Sequence, residues 1–400
     1  MAIAEAAAEV CDLIWIVDTT DPETSSMSRL LRRIGDMVDV TGMSLEEAAT
    51  AISDSRPDGI LALADDMLVW TAQIATLLEL RFVTPEVARR LTDKYAQRVA
   101  LQRGGVPVPG FWQVPEENDD DSWSALAQAA SFPAVLKPRS GEGSRDTVRV
   151  DSFMELRSKV AETPSASGSV RAELVLEEYL RDRPQAVGHH FADYVSVESV
   201  VSAGQISHVA ITGRFPPAEP FRETGFFIPC AFDNDQCRAI AEVATAAVQA
   251  IGVSLGLLHT EIKLTPTGPR VIELNGRIGG GVPEMLADAT GVELLPIALR
   301  VALGELITFD SVPRCDRIGY LLYVQAPLHM TTIRSVDGID QLRAHAGVQE
   351  VTLNRGPGRA VHWRSGNHGH VFSVRGSVAD YDALRSIERY ANTEVRIHGD

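Results

Sequence analysis

The chain has 400 residues, 45% of them apolar, and a formal net charge of −17 at pH 7. That length exceeds what one core serves and points to two or three domains; the acidic balance argues against a general nucleic-acid binder, whose surface is basic. No run of about 18 apolar residues is available to span a membrane. Met1 to Glu5 lacks the basic stretch of a signal peptide, so a cytoplasmic location is expected. The four cysteines, Cys11, Cys230, Cys237 and Cys315, have no C-x-x-C spacing and read as reduced thiols.

In chain order, Asp12–Asp18 and Gly59–Leu63 read as buried strands, while Ser44–Ile52 and Leu68–Leu80 have helical spacing. This α/β layout suits a parallel sheet. No G-x-G-x-x-G follows the first strand, so a dinucleotide fingerprint is missing. Such a sheet normally starts with one more strand, yet only eleven residues precede Asp12. Thr92–Gln102 reads as a helix with an acidic first turn, ended by Gly104 and Gly105. The acidic tract Glu116–Asp121 is a solvated loop capping the next helix. Phe132–Pro138 is a short strand before the Gly/Ser-rich loop Arg139–Arg145, and Val148–Val150 resumes as a strand.

Pro164–Ser169 is a small-residue linker. Leu174–Leu180 is a strand running into a connection, and Tyr194–Val201 and Gln205–Thr212 form a hairpin turning at Ser202–Gly204. Asp235–Ile251 is an Ala-rich helix stopped by Gly252. From about Arg317 a smaller α/β region begins, with strands near Gly319–Gln325, Val348–Leu353 and Val371–Val374.

Chemistry concentrates at Val271–Gly281. Glu273, Asn275 and Arg277 alternate after an apolar run, so a strand points all three to one face. Glu261, on the preceding segment Leu257–Lys263, adds a second carboxylate. Two carboxylates and an amide oxygen are hard ligands of the kind Mg²⁺ takes when it bridges nucleotide phosphates. Lys137 ends a strand just before Ser140, Gly141, Glu142, Gly143 and Ser144, where backbone N–H groups can approach phosphate oxygens; an ordinary surface turn is the alternative. Leu174–Leu180 could wall an adenine pocket, with Glu177 accepting from the base amino group, or could simply end in solvated acids. Gly279–Gly281 precedes a helix at Val282–Ala289 and is either an anion seat or a tight turn. His362, His368 and His370 lack partners at metal-binding spacing. His189, His190 and His259 read as local hydrogen-bonding residues, with His259 close enough to Glu261 to line the site.

The order Lys94, Lys137, Gly/Ser loop, Glu177-Glu178, Glu261 and Glu273-x-Asn275-x-Arg277 resembles the ATP-grasp superfamily over about residues 90 to 310. Arg334–Ile339, Gly347–Val351 and Gly356–Arg359 resemble the small C-terminal domain of its carboxylate–amine ligases of the L-amino acid ligase type. The resemblance implies an α/β (α+β) ATP-grasp fold with a pre-ATP-grasp parallel α/β domain at 1–90, its first strand missing. The ATP-grasp domain would span 91–315 and a small C-terminal α/β domain 316–400. It further implies that Lys94 and Lys137 contact ATP phosphates under the loop of Ser140, Gly141, Gly143 and Ser144. Glu177, Glu178 and Leu180 would lie at the adenine, Leu180 through its backbone, with Asp193 or Glu198 on the ribose. Glu261, Glu273 and Asn275 would hold Mg²⁺, with Mn²⁺ as a substitute, and Arg277 would touch the reacting carboxylate.

The implied activity is an ATP-dependent ligase joining a carboxylate to an amine through an acyl phosphate, with amino-acid substrates, ADP and phosphate as products, and no nucleic acid or membrane partner. A homodimer is compatible with it. Two alternatives share the nucleotide site: a carboxylase or purine-pathway type of ligase, and a non-catalytic ATP-binding protein. No residue presents itself as the base that deprotonates the amine.

Overall fold

A computed structural model describes all residues except 1, 21, 117–118, 163–164, 167–169, 172 and 185–189. The chain opens with α1 (Ala2–Ala7), β1 (Ile14–Val17), α2 (Pro22–Leu31), β2 (Asp36–Asp39), α3 (Leu45–Ser53) and α4 (Leu68–Leu77). A helix, not a strand, precedes β1, and β1 and β2 make a two-stranded parallel sheet. The expected strand at Gly59–Leu63 forms no strand and joins no sheet. Its apolar residues pack laterally instead: Ala62 and Ile60 join side-chain clusters, and the Gly59 backbone lies against Ala302. Within the expected buried strand Asp12–Asp18, only Val17 of β1 is fully buried. α3 begins at a capping box in which Ser44 and Glu47 satisfy each other's backbone N–H.

The expected single helix at 92–102 is two helices, α5 (Pro85–Thr92) and α6 (Lys94–Arg103). Asp93 breaks them because its carboxylate accepts from Tyr95 N and Ala96 N, and its backbone turns extended. Then come β3 (Phe111–Gln113), α7 (Asp120–Ala129), β4 (Ala134–Pro138), β5 (Val148–Val150), α8 (Phe153–Glu162), a short pair β6 (Ser165–Ala166) and β7 (Val170–Arg171), and β8 (Leu174–Glu178). The expected linker at Pro164–Ser169 falls mostly outside the described residues. The order β3-β8-β4-β5 forms an antiparallel sheet. Trp123, Leu126, Leu156 and Val160 of α7 and α8 cover one of its faces.

The second half supplies β9 (Tyr194–Ser202), β10 (Gln205–Arg214), β11 (Gly225–Ile228), α9 (Asn234–Ile251), β12 (Gly256–Thr265), β13 (Gly268–Asn275), α10 (Val282–Thr290), α11 (Leu294–Ala302) and β14 (Ile318–Val324). β15 (Ile333–Asp337), α12 (Ile339–Arg343), β16 (Val348–Leu353), β17 (Phe372–Val378), α13 (Tyr381–Thr393) and β18 (Arg396–Gly399) complete it. The β9–β10 hairpin turns at Ala203 and Gly204, both at positive φ (49° and 77°), the geometry whose twist matches the strands.

An eight-stranded sheet in the order β13-β12-β9-β10-β11-β14-β17-β16 runs through this half. β14, β17 and β16 therefore continue the central sheet across the expected boundary at 316. Helices α5, α6 and α9 pack on one side of β9, β12 and β13, α10 and α11 on the other, and α13 covers the far end. Among the described residues, no helix is long and apolar enough to cross a membrane.

Candidate active site

The four-stranded and eight-stranded sheets face each other across a cavity of about 380 Å³, lined by Val135 and Lys137 of β4, Glu177 of β8, Tyr194 of β9, Glu261 and Lys263 of β12, and Ile272 and Glu273 of β13. Of the thirteen residues nominated from the sequence, all but Asn275 and Arg277 line it.

Its lysines are held by carboxylates. Lys137 Nζ lies 2.8 Å from Glu177 Oε2, and Glu177 Oε1 lies 3.0 Å from Arg98 Nε. Arg98 also donates to Ile272 O, which ties α6 to β13. Burial alone would raise the Glu177 carboxyl, but Arg98 and Lys137 outweigh it and hold it below the ordinary carboxylate value. Glu177 is thus engaged by two cations rather than free for a base amino group. Glu178 accepts from Gly110 N and Arg270, both at 3.0 Å. Among the described residues no protein group accepts from the Leu180 N–H, which leaves that backbone donor for a ligand.

Glu261 and Glu273 are direct cross-strand partners, as are His259 and Asn275. Two carboxylates set opposite each other repel unless a cation lies between or beside them. Lys94 Nζ takes part of that place, 2.9 Å from Glu273 Oε1 and 2.6 Å from Gly141 O. Among the described residues no cluster of three or more His, Cys, Asp or Glu forms a metal cage. Two carboxylates with the Asn275 amide fit a divalent ion that takes its remaining ligands from phosphates and water, as Mg²⁺ does.

Behind Glu261 lies a charged network. His259 Nδ1 is 2.8 Å from Glu198 Oε2, and its Nε2 is 3.6 Å from Glu261 Oε1. Burial and the Arg214 guanidinium, 3.0 Å from Nε2, push His259 down, but the charge and hydrogen bond of Glu198, with Glu261 nearby, bring it up to about 9. Burial likewise raises Glu261, and His259 and Arg214 outweigh it, holding the carboxyl well below its usual range. Arg214, buried between the rings of Tyr194 and Phe226, pairs with Glu223. Glu223 lines the cavity, and burial raises its carboxyl despite that partner. Asn367 Nδ2 donates to Glu223 Oε2 at 2.6 Å.

The Gly/Ser loop sits closed. Glu142 Oε2 is 3.0 Å from Arg277, Gly143 O accepts from Asn367 N at 2.9 Å, and Lys94 holds Gly141 O. Arg277, just past the end of β13, also meets Asp65 at 2.7 Å. Burial raises the Asp65 carboxyl against the pull of Arg277. Arg277 is expected to face a substrate carboxylate; two protein carboxylates occupy it here. After it, Gly279 lies so close to the His259 ring that no side chain fits, and Gly281 caps α10 at φ 72°.

Neither expected ribose acid lines the cavity. Asp193 accepts from Arg183 N and its guanidinium, and Glu198 from Ser196, Thr212 and His259. Asp182, paired with Lys263, lines it instead. His362 caps a 3₁₀ turn at 363–369, His368 faces Glu142 at 3.7 Å, and His370 stacks on Tyr323. His189 lies outside the described residues. Sequence reasoning missed Arg98, Arg214, Glu223 and Asp65. Arg98 was findable, one helical turn after Lys94 on the same face. Glu223 sits in an aperiodic stretch rich in Pro and Phe and carried no signal.

Residues 130–284 match the model of the ATP-grasp domain family. Carnosine synthase 1 of Gallus gallus is 27% identical over 265 residues, 62% of this chain and 27% of that protein. An L-arginine-specific L-amino acid ligase of Bacillus subtilis is 25% identical over 273 residues, 67% of this chain and 62% of the ligase. The chain thus spans about a quarter of the first relative and less than two thirds of the second. An L-amino acid ligase from Bacillus licheniformis superposes with a TM-score of 0.78 at 21% identity, over 100% of this chain and 95% of that one. Residues 130–284 thus match an ATP-grasp domain, and the chain along its whole length shares the fold of that ligase.

Proposed function

We propose that the chain is an ATP-dependent carboxylate–amine ligase that forms an amide or peptide bond between amino-acid substrates. The facing pair Glu261 and Glu273, with Lys94 and Lys137 in the same inter-sheet cavity, carries this reading. The names of the relatives, a carnosine synthase and an L-amino acid ligase, support amino acids as the substrate class.

ATP would lie between the two sheets, its base beside the Leu180 N–H, its ribose near Asp182, and its phosphates under Gly141 and Gly143. A divalent ion held by Glu261, Glu273 and Asn275 would neutralise charge on the transferring phosphoryl group. Lys94 and Lys137, held in place by Glu273 and Glu177, would contact the same phosphate oxygens. A carboxylate is a poor acyl donor, since its leaving group would be oxide; phosphorylation makes an acyl phosphate that an amine can attack. Arg277 would exchange Glu142 for the substrate carboxylate and then stabilise the tetrahedral oxyanion. Glu223, which lines the cavity and is raised by burial, would have to exchange Arg214 or Asn367 for the incoming ammonium and would then take its proton. The closed loop would keep water from the acyl phosphate.

A screen of amino-acid pairs for ADP release, with mass spectrometry of products, tests this. Ligation with release of ADP and phosphate is expected for at least one pair. ADP release that depends on bicarbonate and needs no amine would favour a carboxylase-type reaction. ATP binding without turnover by any pair would favour a non-catalytic protein.

A further inference from the structure

Cys230 follows β11, its N–H donating to Ile211 O at 2.9 Å, and Cys237 sits in the first turn of α9. Their Sγ atoms are 3.5 Å apart. All four cysteines are free thiols, but only these two face each other among the described residues. Cys230 is buried, and Cys237 is half-buried. A disulfide needs about 2.05 Å between sulfurs, so a closure of roughly 1.5 Å suffices, within the swing of one side chain.

The two thiols are chemically unequal. The hydrogen bond between the two thiols lowers Cys237 to about 7 against burial and the nearby Asp233 charge, and the Cys237 sulfur also lies 3.7 Å from Phe232 O. Position in a helix first turn favours the same thiolate. Cys230 is pushed up by that hydrogen bond and by burial. Burial also raises Cys11 and Cys315. Cys237, the more exposed of the facing pair, is therefore placed as nucleophile and the buried Cys230 as the resolving partner.

We propose that Cys230 and Cys237 are a peroxide-oxidisable dithiol that closes to an intrachain disulfide. The Cys237 thiolate attacks a hydroperoxide, taking one oxygen as sulfenic acid and releasing hydroxide or alkoxide. The Cys230 sulfur then attacks the Cys237 sulfur, the S–O bond breaks, and the oxygen leaves as water with the thiol proton. Two electrons pass from the thiols to the peroxide.

Both cysteines fall in one tryptic peptide, Glu223–Arg238. The reduced full chain is treated with hydrogen peroxide at neutral pH, alkylated, digested and weighed. The expected result is loss of two of the four alkylatable thiols, with that peptide lighter by two hydrogens and restored by dithiothreitol. Cys237 is expected to react about tenfold or more faster than Cys11 or Cys315. Cys230→Ser should leave a dimedone-trapped sulfenic acid at Cys237, and Cys237→Ser should leave Cys230 alkylatable. Equal reaction of all four thiols, or over-oxidation of Cys237 with Cys230 still alkylated, would overturn the proposal. The wild-type peptide decides even where a variant folds poorly.

Discussion

At the scale of single residues, the site is a set of charges held in low-dielectric surroundings by exact partners. Arg98 is fully buried and shares Glu177 with Lys137. Arg98→Met should leave Glu177 half-neutralised and lower unfolding stability by about 3 kcal/mol, measured by chemical denaturation. Glu273→Ala should abolish metal-dependent turnover while the protein stays folded; normal activity would remove the metal assignment.

His259 gives a pH signature. Its folded value of about 9 lies above the ordinary 6.5, so protonated His259 stabilises the fold. That contribution is complete below about pH 6.5 and disappears as pH rises through 9, a loss on the order of 3 kcal/mol. Thermal unfolding of the ligand-free protein should therefore show a stability decline over that window, and His259→Gln should flatten it.

The alternation that marks Glu273 and Asn275 was legible because a strand's two-residue period is a local property. The identity of the ribose acid was not: Asp182, Asp193 and Glu198 are indistinguishable as sequence, and only tertiary pairing with Lys263 or Arg183 separates them.

At the scale of elements, the decisive one is the loop Arg139–Arg145. Its glycines and serines were visible as a phosphate cover, but its resting contacts were not, since they join positions far apart in the chain. Glu142 neutralises Arg277, the cation proposed to receive the substrate carboxylate, so substrate and loop compete for one guanidinium. The pair is partly solvent-screened, which limits its worth to about 1 kcal/mol. Glu142→Gln should accordingly lower KM for the acid substrate by about two- to fivefold with little change in KM for ATP. An unchanged KM for the acid would show that the contact does not oppose binding. Likewise, the strand expected at Gly59–Leu63 has the right apolar run, yet it joins no sheet, and periodicity cannot tell which partner a run finds.

At the scale of the molecule, the eight-stranded sheet joins what the sequence divides. The C-terminal strands were each recognisable, but their order is a long-range property: β11 pairs with β14, which pairs with β17. A chain ending at residue 315 would expose the β11 edge and strip Phe227 of its packing against Tyr320 and its neighbours. Such a truncation should aggregate or fail to fold, as sedimentation or exclusion chromatography would report. A soluble, ATP-binding fragment would instead mark 316 as a true domain boundary.

All these scales converge on a carboxylate activated by phosphoryl transfer in the inter-sheet cavity. Once a productive acid is known, its carboxylate can be labelled with heavy oxygen and the released phosphate weighed. Passage through an acyl phosphate moves one labelled oxygen into phosphate for each amide bond formed. Product formed with unlabelled phosphate would contradict the account.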